Sequence, residues 1–233
     1  MTDNQLDDTT GAGVDTLADT VSETHDVLSR RLAEAESCRP TRERPRDRLR
    51  ATDPFLASTS RHVQAACAVL GPAARRHLPD GRRRAHDLAQ QSRRLEGALF
   101  QTKAKLYGST FVVRRPWSSI WDEVTEEFDA WWRLEQGLVD DLTATTSTAD
   151  RDAIAERLFR AEKHVPTRPH PYLPHQGVPG RVARGVAMRV DRFWDTAEGR
   201  MVPEPVRPHR SREGRITQYL LADPHLDGPA AEE

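Results

Sequence analysis

Between Trp117 and Leu142 the chain places Trp117, Trp121, Val124, Phe128, Trp131, Glu135, Leu138 and Leu142 at alternating steps of four and three. That spacing gathers them on one stripe of an α-helix, and a stripe so apolar has to be buried against other elements. Glu135 is the single exception to its apolar character. A carboxylate on a buried helix face is costly unless something pairs with it, so Glu135 marks either a site or the remnant of one.

Other stretches repeat the arrangement. Val14, Leu17, Val21, His25, Leu28 and Leu32 predict a first helix with His25 on its inner face. Asp53 and Pro54 supply an N-cap followed by proline at the first helical position, which predicts that a second helix begins there. Its inner stripe reads Phe55, Thr59, His62, Ala66, Val69, Ala73 and His77, with a kink expected at Pro72. After the turn LPDGR, a third helix carries Ala85, Leu88, Ser92, Leu95, Glu96, Leu99 and Leu106. A further helix is expected from Ala149 to Lys163, with Ile154, Leu158 and Phe159 following a Ser/Thr/Asp start. No strand pattern of any length and no internal repeat is present.

The remainder is of a different kind. Residues 1–13 form an acidic leader without periodicity, expected to be disordered. The bundle is expected over 14–164, and 165–202 combines a Pro-rich strap with an amphipathic helix. Residues 203–233 read as a Pro/Arg-rich tail with a short apolar patch around Ile216, Tyr219, Leu220 and Leu221. This patch is a candidate contact for a protein partner of unknown identity. The Arg-rich connection SCRPTRERPRDR is interspersed with acids and reads as a solvated loop. A formal charge of -1 argues against general nucleic-acid binding. No apolar run reaches the roughly 20 residues needed to span a bilayer, so no integral membrane association is expected and a cytoplasmic location is. Cys38 and Cys67 form no C-x-x-C pair and are expected to be reduced thiols, Cys67 partly buried. His164, His170 and His175 lie at spacings of six and five, which match no compact chelate. No nucleophile motif and no phosphate-cradling glycine loop is present, so an enzyme is not expected.

The motifs ETHDVLSRRL around His25, HVQAACAVLGPAARRHLPDG from His62, QQSRRLEGAL around Glu96 and WWRLEQ around Glu135 resemble the hemerythrin-like (HHE cation-binding) family. The likeness extends to actinobacterial members with a TRPHP strap, and covers roughly residues 14–175. The resemblance implies an all-α fold, an up-down four-helix bundle with an extra helix and a Pro-rich C-terminal strap. It also implies a non-haem iron centre in the bundle core. His25 and His62 stand at family His positions and Glu135 at a family Glu. Ala66 replaces a carboxylate, and Ser92 and Trp131 replace histidines, with Glu96 four residues beyond Ser92.

Two readings follow. In one, His25, His62, Glu96 and Glu135 form a partial site for non-haem iron or another divalent metal, related to oxygen or iron handling. In the other, which the replaced ligands favour, no cofactor is bound. The glutamates then pair with His25, His62 or an inward arginine, and the bundle serves protein interaction through its tail.

Overall fold

The computed structural model describes residues 16–108, 114–165 and 203–206, and these residues form an all-α bundle without strands. Helix α1 spans Thr16–Ser37, α2 Asp47–His77, α3 Gly81–Leu106, α4 Trp117–Thr145 and α5 Thr148–Glu162. The leader, the strap, the amphipathic helix after it and the apolar patch of the tail fall outside the described residues. So do Val14, His170 and His175. None of the described helices is long and apolar enough to cross a membrane.

Helix α2 packs against each of the other four, most extensively against α3. The connection between those two is only Leu78–Asp80, which turns them antiparallel as neighbours. Gly81 is required there: a Cβ on it would lie 1.9 Å from the Ala74 carbonyl oxygen, so the end of α2 and the start of α3 approach backbone to backbone. Helix α3 also packs on α4, while α1 packs on α2, α4 and α5.

The α4 stripe is buried from Trp121 to Leu142, with Trp117 half-buried at its outer end. In α3, Ala85, Leu88, Ser92, Leu95, Glu96 and Leu99 are all buried, as their spacing predicts, while Leu106 at the end of the stripe is only half-buried. Phe55, Phe128, Trp131, Leu70, Leu95 and Leu138 rank among the largest fully buried side chains, each contributing roughly 1.5–3 kcal/mol by leaving water. Helix α5 starts at an N-cap: the Ser147 hydroxyl accepts a hydrogen bond from the Asp150 backbone N–H at 3.2 Å. Cys67 is buried and Cys38 half-buried, and both are free thiols.

Two features of α2 differ from expectation. The helix begins at Asp47, so Pro54 lies inside it and not at its first position. Proline deprives the Arg50 carbonyl of its helical donor, but Arg50 is exposed, where water can take over that role. The turns before Pro54 are held by tertiary contacts. Thr52 is fully buried, and the Arg48 guanidinium lies 4.6 Å from the centre of the Trp117 ring. The second difference is that every residue from Phe55 to Cys67 is buried, polar ones included, because neighbours surround α2 on all sides. The Arg-rich connection is exposed from Arg39 to Arg46, as its composition predicts.

Candidate functional site

His62 lies at the middle of the bundle, 1 % exposed, with a carboxylate on each side of its ring. Nδ1 is 2.5 Å from Glu162 Oε1, and Nε2 is 3.3 Å from both oxygens of Glu135. Burial by itself would lower the imidazole pKa. The negative fields of Glu135 and Glu162, and the hydrogen bonds to them, outweigh that effect and raise it to about 10. His62 is therefore an imidazolium at neutral pH, with one ring N–H donated to each carboxylate. This line of groups joins three helices, α4 through Glu135, α2 through His62 and α5 through Glu162.

Arg61, the preceding residue, carries the line further. Its Nε is 3.9 Å from Glu162 Oε2, and its Nη1 donates to the Pro203 carbonyl at 2.5 Å. Nearby, Gln64 donates its amide N–H to fully buried Glu96. Three buried carboxyl groups, Glu96, Glu135 and Glu162, thus accompany two basic side chains, His62 and Arg61. Among the described residues Glu135 Oε1 has no hydrogen-bond partner, although it lies beside the imidazolium.

Ser92, Trp131 and Cys67 are satisfied by one another and by the α3 backbone. Ser92 Oγ donates to the Leu88 carbonyl at 2.8 Å and accepts the Trp131 indole N–H at 3.0 Å. Cys67 Sγ is 3.1 Å from the same oxygen, whose only proton is already committed, so the thiol is the donor. The Trp131 ring stands edge-on to His62, 5.5 Å between centres, and Ala66 is fully buried and contributes no donor atom.

The four residues singled out by sequence are thus distributed unevenly. His62 and Glu135 meet directly. Glu96 lies in the core on Gln64. His25 is half-buried and stacks on Trp132 at 3.6 Å and on Phe128 at 5.3 Å, with Ser29 Oγ 3.4 Å from its Nε2. Burial lowers its pKa, ahead of the opposing pull of Asp26 and Asp129, and the charge on His62 lowers it further. His164 is exposed, and its ring lies 2.8 Å from the Arg160 carbonyl at the end of its own helix.

Sequence reading misses Glu162, Arg61 and Gln64. For Glu162 a signal exists: Ile154, Leu158 and Glu162 follow one another at steps of four, so the acid prolongs the buried stripe of α5. Phe159, which the fifth helix carries beside Leu158, is half-buried, and Lys163 covers its ring at 4.3 Å. Arg61 and Gln64 carry no such signal, because they flank the predicted stripe of a helix that is enclosed all round.

The donor set limits what the centre can hold. The nitrogens of an imidazole point in divergent directions, so Glu135 and Glu162, on opposite sides of His62, cannot converge with it on one ion. Among the described residues no group of three or more His, Cys, Asp or Glu could hold a metal ion. His62 Nε2 and Glu135 remain as a pair of donors on facing helices, too few for two metals. In comparisons with known proteins, no family model, no curated protein and no solved structure matches this chain.

Proposed function

We propose that this chain is a hemerythrin-like bundle protein with a partial core site. The site takes at most one cation, iron or another divalent transition metal, at His62 Nε2 and Glu135, and its role relates to iron or oxygen handling. The observation that carries this reading is the arrangement around the imidazole. Glu162 holds Nδ1 and thereby aims Nε2 at Glu135, which is how a carboxylate behind a histidine orients it toward a metal. The unpartnered oxygen of Glu135 adds acceptor capacity at the same place.

When bound, such a cation would supply Lewis acidity or a redox couple. The residues themselves bind, orient and exchange a proton. Because His62 holds its proton up to about pH 10, loading requires loss of the Nε2 proton. Affinity should therefore rise about tenfold per pH unit below that value.

A second reading is a metal-free bundle that serves protein interaction through its C-terminal tail. Favouring it is the closure of the core by Trp131, Ser92 and Cys67, which bond to one another where a second ion and its ligands would need space. Metal analysis of untagged protein from iron-supplemented medium, with an absorbance spectrum, tests the two. One metal per chain that is lost in Glu135→Gln supports the partial site. Two per chain refute it, and a metal-free, stably folded protein leaves the interaction reading.

A further inference from the structure

The contact between Arg61 and Pro203 joins residues 142 positions apart in sequence and reaches a group that the cation reading does not use. Arg61 is only 6 % exposed, and its partners are of two kinds: the Glu162 carboxylate on one side and a main-chain carbonyl on the other. Burial opposes its charge most strongly and lowers its pKa, with Arg31 acting in the same direction and Glu162 and then Glu204 against it. Pro203–Val206 has no regular secondary structure. Apart from exposed Glu204 its residues are half-buried, and the Arg61 guanidinium is its hydrogen-bond partner among the described residues.

We infer that Pro203–Val206 is a removable cap on the buried acid–imidazolium centre, with Arg61 as its latch. Glu162 is shared between the latch and the His62 ring. With the segment docked, the Pro203 carbonyl accepts the Nη1–H and holds the guanidinium in ion-pair range of Glu162, and water is kept from the Nδ1–Oε1 hydrogen bond. With the segment released, a buried guanidinium lacking its acceptor turns out to solvent, because the unsatisfied group is costly in the core. Glu162 then hydrates and the imidazolium N–H exchanges with water. The consequence is a centre whose access to water depends on whether Pro203–Val206 is docked, independently of whether a cation is bound.

The test uses the full chain, labelled with nitrogen-15 at histidine and free of added metal. Exchange of the His62 ring N–H with water is followed by NMR in wild type, Arg61→Lys and Glu204→Arg. Glu204 is exposed, so its replacement leaves the core packing alone while placing a like charge within the electrostatic reach of Arg61. Both variants are expected to accelerate exchange by about tenfold or more, as for a local opening made easier. Unchanged exchange in both overturns the inference. Acceleration in Arg61→Lys alone also overturns it, since Arg61 would then act on Glu162 with no part for the segment. None of these outcomes depends on metal uptake, so the cation reading stands or falls separately.

Discussion

Raising the pH should remove the proton that His62 holds between Glu135 and Glu162, and with it a large part of the stability of the bundle. The folded-state pKa of about 10 lies above the ordinary 6.5, so the stabilisation is complete below pH 6.5 and disappears as pH rises through 10. At about 1.4 kcal/mol per unit, that interval corresponds to roughly 5 kcal/mol, and the ring is fully buried, so solvent screening reduces it little. A domain of ordinary stability has about 5–15 kcal/mol in total, so the alkaline end should bring the protein near its unfolding midpoint. Urea denaturation followed by circular dichroism at unit steps of pH, on wild type and His62→Gln, measures the effect. The variant cannot take up the proton, so its free energy should be flat where the wild type falls by about 1.4 kcal/mol per unit. Parallel profiles for the two proteins across that interval would refute the reasoning, because the alkaline loss would then belong to other groups.

Gly81→Ala should destabilise the protein by several kcal/mol, visible as a lowered Tm, because its Cβ meets the Ala74 backbone, which has no side-chain freedom with which to yield. Trp131→Ala should cost about 3–5 kcal/mol in urea denaturation, since it empties the largest fully buried position among the described residues and removes the indole donor to Ser92. Ser147→Ala should cost about 1 kcal/mol through loss of the α5 N-cap, with faster amide exchange confined to the first turn of that helix. The NMR titration midpoint of His25 should lie below 6.5, the direction set by its burial against Trp132.

How much of this was legible beforehand depended on how many faces of a helix are covered. Helices α3 and α4 each bury one face, so the period of their apolar residues names the inner positions, Glu96 and Glu135 included. Helix α2 is covered all round from Phe55 to Cys67, and periodicity then carries no information on which polar residues of that stretch are enclosed. Arg61 and Gln64 stayed hidden for that reason. Its start was misplaced because Asp53-Pro54 is a good local helix start, whereas the observed start depends on Arg48 and Trp117, distant in sequence. Pairing of His62 with Glu135 could be anticipated from two inward-facing residues, whereas its pairing with Glu162 depends on where α5 docks.

The docking of α5 also has a consequence in time. Helices α2 and α3 are joined by a three-residue turn and can pair as soon as both exist, whereas the Glu162 that completes the centre lies 100 residues after His62. During synthesis the chain must therefore hold His62 with Glu135 at most until α5 emerges, and Pro203 follows later still. A nascent bundle halted before residue 162 would carry its histidine with one carboxylate instead of two. It would lose its charge at a lower pH and leave α2 exposed along the side that α5 covers.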